Sequence, residues 1–120
     1  EIALKSVFEE TRMNSEAKKF AKDLVFGVLE HIETLNQYIQ DFAINWELKR
    51  IANVDRSLLR LAIYEMLFLS EQIPPNVSIN EAVELAKKFS TIEGSKFING
   101  ILDKIKKHLT EQGKIGEPHD

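Results

Sequence analysis

The segment "DRSLLRLAIYEMLFLSEQ", residues 55 to 72, constrains the fold more than any other part of the chain. Leu58, Leu59, Leu61, Ala62, Ile63, Tyr64, Met66, Leu67, Phe68 and Leu69 leave little of it polar. A buried strand is the competing form of so apolar a run, but its length and its Leu, Ala and Met content favour a helix. A helix that is apolar on nearly every side belongs at the centre of a bundle, where each face meets another helix instead of water.

The flanking segments supply helices to surround it. In "SEAKKFAKDLVFGVLEHIETLNQYIQDFAI", apolar residues at Ala17, Phe20, Ala21, Leu24, Val28, Ile32, Leu35, Ile39 and Phe42 recur three or four apart, which is the period of one long amphipathic helix or two in series. Asn14 or Ser15 is placed to cap it. Upstream, Ile2, Ala3, Val7 and Phe8 suggest a fragment of another helix, broken near Met13. After the irregular "NWELKRIANV" and the central segment, "IPPN" punctuates the chain, because Pro74 and Pro75 cannot continue a helix. Ser78 and Glu81 in "SINE" then have capping-box spacing and mark the next helix, with Ala82, Val83, Leu85, Ala86 and Phe89 as its core face.

The last helix, "SKFINGILDKI", carries an apolar seam at Phe97, Ile98, Ile101, Leu102 and Ile105 that Asn99 and Gly100 interrupt. A Gly inside a helix costs about 1 kcal/mol relative to Ala, so compensation is expected. The absence of a Cβ at Gly100 would let a neighbouring helix approach closely, with Asn99 bonding across the junction. Period-two alternation never persists, so the class is all-α. With 120 residues and 43% hydrophobic content, the chain fits one domain over residues 1–109, followed by a polar, frayed tail over 110–120.

The chain has 16 basic and 19 acidic residues, a formal net charge of −3, which excludes a globally basic nucleic-acid binder and leaves only local basic patches. It has no cysteine, so disulfides and thiolate metal sites are excluded and a reducing compartment fits. No apolar run reaches the ~18 residues of a membrane span, and "EIALKSVFEE" lacks a basic flank and a cleavage site, so the chain reads as soluble and cytoplasmic. His31, His108 and His119 sit at no metal-ligand spacing, and no glycine cluster opens a helix to cradle phosphate. The carboxylate pairs Glu30 with Glu33 and Glu81 with Glu84 read as solvated helix faces. Neither catalysis, a metal nor a cofactor is expected.

Polar residues within the apolar segments are the more informative ones. Glu65 and Asn80 are expected as half-buried partners that orient helices, since polar groups in a core must be paired. Arg60 follows Arg56 by one turn, and the pair makes a small basic stripe suited to phosphate. Lys96 beside Phe97 at a helix start puts a cation and a stacking ring together, although Phe97 as plain core is the simpler reading. Lys87, Lys88, Lys104, Lys106 and Lys107 read as ordinary solvated faces.

"DRSLLRLAIYEM", "VSINEAVELAKKFS" and "SKFINGILDKI", in this order with short connections, closely resemble the C-terminal part of the NusB family of transcription antitermination factors. "FGVLEHIETLNQYI" resembles that family's long middle helix, so the likeness runs from about Phe20 to Ile105. It implies an all-helical fold of two packed sub-bundles and an adaptor without catalysis. Such an adaptor binds single-stranded boxA-type RNA of ribosomal RNA transcripts and pairs with the ribosomal protein NusE, other Nus factors and RNA polymerase.

Carried over by position, Arg60, Lys96 and Phe97 match residues that face RNA, and Glu93 lies nearby in the same connection. Asp55 and the "ELKRIANV" segment, with Lys49 and Arg50, match the side that meets NusE. Ala62, Glu81 and Gly100 match packing positions. Family members usually begin with an arginine-rich helix of the form R-x-x-A-R-x-x-A-x-Q-x-L-Y, and this sequence starts after it. The resemblance therefore implies weakened RNA binding and apolar exposure at Phe20, Leu24 and Val28, which invites a homodimer. NusB-like domains also stand in front of ribosomal RNA cytosine methyltransferases, and an accessory domain of that kind is the alternative reading. No cofactor-binding segment follows Ile105, which favours the free-standing form.

Overall fold

In a computed structural model that describes residues 15–44 and 46–115, the apolar segment is a helix from Asn53 to Phe68 that touches every other helix. In chain order the helices are α1 (Ser15–Glu30), α2 (Ile32–Phe42), α3 (Asn53–Phe68), α4 (Pro75–Phe89) and α5 (Ile92–Glu111). A 3-10 turn at Leu48–Arg50 joins α2 to α3. No strand occurs among the described residues. The helix fragment expected near residues 2–8 and the capping residue Asn14 lie outside them, as does the chain beyond 115.

The long amphipathic run resolves into two helices in series. Only His31 separates α1 from α2, with φ −109° and ψ 21°, and the bonds His31 N to Gly27 O (3.1 Å) and Leu35 N to His31 O (3.0 Å) carry the helical ladder past it. Its ring lies 4.4 Å from that of Phe68 between centroids. Gly27 is where α1 meets α3 most closely: a Cβ there would stand 2.2 Å from the Tyr64 hydroxyl and 2.3 Å from Cζ.

The core follows helical spacing on each element. Leu59, Ala62, Ile63 and Met66 of α3 meet Ile98, Ile101, Leu102, Ile105 and Leu109 of α5, with Leu35 and Ile39 of α2 and Ile79, Ala82 and Ala86 of α4 closing around them. At about 1.5–3 kcal/mol for each large aliphatic side chain removed from water, this cluster dominates stability. Central position does not mean that α3 is buried all round, because Leu58, Leu61 and Leu67 remain half-buried and Phe68 is 46% exposed.

Several expectations are corrected. Helix α4 begins three residues before Ser78, with Pro75 in its first turn, where the missing N–H is one that no helix uses. Ser78 therefore turns inward and is 2% exposed, so it forms no capping box with the exposed Glu81. Asn80 points to solvent and pairs no helices, and Phe89 is exposed on the outer side of α4.

Gly100 has open space around it, and the exposed Asn99 side chain makes no hydrogen bond among the described residues, so no helix approaches there. The close approaches belong to Gly27 and Gly94. On α1, Phe20, Phe26 and Leu29 are exposed, whereas Leu24 and Val28 are half-buried.

The end of the described chain is not frayed. Gly113 takes φ +72°, Lys114 N donates to Leu109 O (2.9 Å) and Gly113 N to Thr110 O (3.0 Å), a left-handed stop that satisfies the last carbonyls of α5. It returns Ile115 to the core, where it is 5% exposed.

Glu65, half-buried on α3, meets the expectation better than Asn80 does. Burial raises its carboxyl above the ordinary range, the nearby Ser78 hydroxyl partly offsets this, and Glu81 adds to the rise. A raised carboxyl means that stability is greatest below the ordinary carboxylate range and declines as pH rises through the folded-state value.

Glu65→Gln is accordingly expected to raise the thermal midpoint at about pH 7, with the gain vanishing near pH 3 where both states are protonated. Scanning calorimetry at the two pH values checks this. Gly100→Ala is expected to stabilise by about 1 kcal/mol, since its Cβ meets nothing. Gly27→Ala is expected to destabilise by about 1–3 kcal/mol through overlap with Tyr64. Urea titrations of the two variants should move in opposite directions.

Candidate nucleic-acid interface

The start of α3 and the start of α5 lie side by side because a carboxylate and a glycine fit together there. Asp55, in the first turn of α3, is only 7% exposed, and a Cβ on Gly94 would stand 2.7 Å from its Oδ2 and 2.9 Å from Ser90 Oγ. Only a residue without a side chain allows this approach. Thr91 caps α5 by accepting from Gly94 N (2.8 Å), Ser95 Oγ donates to Ile92 O (2.6 Å), and the Asp55 charge lies against the electropositive first turn. Asp55 Oδ1 accepts no hydrogen bond from the described residues.

Two arginines lie one turn apart on α3, Arg56 near its start and Arg60 at its middle. Arg56 donates through Nη1 to Leu48 O (3.1 Å) and through Nη2 to Asn53 Oδ1, while its Nε is buried without a partner. Arg60 donates through Nε to Asn36 Oδ1 of α2 (2.7 Å). Burial, and then the charge of Arg56, hold the Arg60 guanidinium below its ordinary pKa. Neither arginine has an acidic partner among the described residues. Their acceptors are neutral oxygens, which fix the side chains without cancelling their charge.

The other expected residues gather nearby. Arg50, Asp55, Glu93 and Phe97 line one cleft of about 290 Å³ together with Trp46, whose ring centroid lies 5.9 Å from that of Phe97. Lys49 and Arg56 line a second cleft with Gln40, Glu47 and Leu48, and Lys49 Nζ pairs with Glu47 at 3.6 Å on the surface. Lys96 is exposed beside a half-buried Phe97, and Glu93 is exposed in the first turn of α5.

The residues expected to face RNA and those expected to face a protein are thus interleaved, sharing the same clefts. Asn36 and Trp46 join the site without being expected there. An exposed tryptophan in an irregular connection is the available signal for Trp46. Asn36 has none, because its partner is 24 positions away.

This arrangement holds no group of His, Cys, Asp or Glu fit for a metal among the described residues. With two arginines that have no acidic partner among the described residues and a Trp46–Phe97 ring pair at a cleft, the described residues form a small all-helical module.

Comparison with known proteins narrows that class. The chain belongs to the NusB family, whose profile matches residues 1–107. It is 47% identical over 106 residues to the transcription antitermination protein NusB of Bacillus velezensis, covering 88% of this chain and 81% of that one. Against the Bacillus subtilis protein of the same name the figures are 46% over 111 residues, covering 92% and 84%.

Among solved structures, T. maritima NusB superposes with a TM-score of 0.79 at 38% identity, covering 91% of this chain and 78% of that one. A chain of the crystal structure of antitermination factors NusB and NusE in complex with dsRNA gives 0.76 at 33%, covering 87% and 76%. The all-α fold is that of the family. No helix among the described residues is long and apolar enough to cross a membrane.

Gly94→Ala is expected to destabilise the protein by about 1–3 kcal/mol by driving a methyl into the Asp55 carboxylate. The double variant with Asp55→Ala should recover part of that loss. A double-mutant cycle in urea checks the coupling, and additive losses would separate the two residues.

Proposed function

We propose that the chain is a non-catalytic transcription antitermination adaptor that binds boxA-type RNA together with a NusE-like ribosomal protein. In this reading it works in the cytoplasm beside RNA polymerase and other Nus factors. The observation that carries it is the pair Arg56 and Arg60, one turn apart and held by Leu48 O, Asn53 and Asn36 with no carboxylate to neutralise them among the described residues. Like charges so placed repel each other, and an anion relieves the repulsion. A phosphodiester backbone supplies anions at intervals.

Lys96 extends the positive surface, and Phe97 with Trp46 offers rings on which an unstacked base can lie. Exposed Glu93 at the cleft mouth sets a boundary for phosphates, since a carboxylate repels them while accepting from a base amino group. Lys49 and Arg50 share the clefts of Arg56 and of Phe97, so that a protein partner meeting them can complete the RNA site. Asp55 lines the same cleft as Arg50, with an Oδ1 that accepts no hydrogen bond among the described residues, and in this reading it meets the protein partner there.

The relatives named for antitermination and the solved complex of NusB with NusE and RNA support this function.

Titration of labelled boxA-like RNA, with and without NusE and at several salt concentrations, tests the reading. Arg60→Ala and Lys96→Ala are each expected to weaken binding and to flatten the log-log salt dependence by about 0.7 for each phosphate no longer neutralised. Phe97→Ala is expected to lose about 1–3 kcal/mol with the salt slope unchanged. Unaltered affinity in all three variants would remove this surface from the RNA site.

A further inference from the structure

A groove of about 360 Å³ runs between α3 and α4, walled by half-buried Leu58, Leu61 and Leu85 and also lined by Glu65, Ser78 and Glu81. At about 100° per residue, Glu65 stands 180° around α3 from Arg56 and roughly 140° from Arg60. The groove therefore opens on the opposite flank of α3 from the arginines.

Its chemistry is unusual for a surface that serves folding alone. Glu65 and Glu81 both line the groove, and no cation pairs with either among the described residues. The Ser78 hydroxyl, 2% exposed, stands close to the Glu65 carboxyl yet forms no hydrogen bond of normal geometry. Buried polar groups are ordinarily satisfied, and like charges on an apolar surface ordinarily attract a counter-charge. Phosphate would be repelled here, so RNA does not fit.

We infer that this groove docks a segment of the protein partner in which a Lys or Arg is flanked by aliphatic side chains. The cation enters between Glu65 and Glu81, and its aliphatic neighbours cover Leu58, Leu61 and Leu85. The inference rests on the adaptor reading above and adds to it a partner surface separate from the cationic face. Because the two surfaces flank opposite sides of one helix, RNA and protein can be held at once without competing for the same residues.

The test is titration of purified NusE into the full chain, alongside titration of boxA-like RNA in the absence of NusE. Glu81→Lys, at an exposed helix position, is expected to weaken NusE binding by about tenfold or more, the scale of loss when a close charge pair is reversed. Glu65→Gln is expected to weaken it less, and because this change removes a folding penalty its effect cannot be ascribed to unfolding. RNA affinity is expected to stay unchanged in both.

If wild type binds NusE and both variants bind it equally well, the groove assignment is wrong while the adaptor reading stands. A loss of RNA affinity instead of NusE affinity overturns the assignment in favour of a nucleic-acid groove. Should wild type fail to bind NusE at all, the adaptor reading falls and takes the groove's occupant with it.

Discussion

The starts of α3 and α5 meet where the Asp55 carboxylate stands against the Gly94 backbone, too close for any side chain at that position. Apolar stripes bring α3 and α5 together, but a stripe of aliphatic residues fixes the axial register of two helices only loosely, since neighbouring registers bury similar area. A buried charge against a glycine has one satisfactory position. That contact leaves no room for a side chain at Gly94 and so limits how the first turn of α3 can sit on the first turn of α5, beside the cleft that Phe97 lines. The cap from Thr91 and the bond from Ser95 then stiffen the turn that carries Lys96 and Phe97.

Around α3 the consequences divide by angle. One side, Leu59, Ala62, Ile63 and Met66, is spent on the core. The flank toward α2 carries arginines whose bonds go to neutral oxygens, and the flank toward α4 carries a carboxylate at the bottom of an aliphatic groove. The near-continuous hydrophobicity of the segment arises from this arrangement. Leu58 packs against the edge of the core, and it and Leu61 also wall the groove. The sequence pattern and the groove are two views of the same residues.

This explains which features can be read without coordinates. The helix class, the central role of residues 55 to 69, the seam of α5 and the basic pair one turn apart depend on local spacing, and spacing is written in the sequence. The start of α4 is misleading because Ser78 and Glu81 have a capping spacing by coincidence. Pro75 is an equally good start, and only the packing of Ser78 against α3 decides between them.

The close approach expected at Gly100 belongs instead to Gly94, six positions earlier on the same helix, and to Gly27. A glycine shows that some backbone is special without showing which neighbour makes it so. Nothing in the structure explains Asn99 and Gly100 themselves. Asn36 is invisible in the sequence for a different reason, since its value lies entirely in a bond to a helix that begins 17 positions later.

The charges on the two flanks of α3 have no opposite charge beside them among the described residues. Arg60 is held beside Arg56 against mutual repulsion, and Glu65 is desolvated beside Glu81. A fold that must receive an anionic chain on one side and a cationic segment on the other gains from both sets of charges, because partners then complete interactions that the free protein leaves open. The same substitution at Glu65 that should stabilise the free chain should therefore weaken its complex, and those opposed signs are what distinguish a held-open binding site from a buried charge that packing simply failed to exclude.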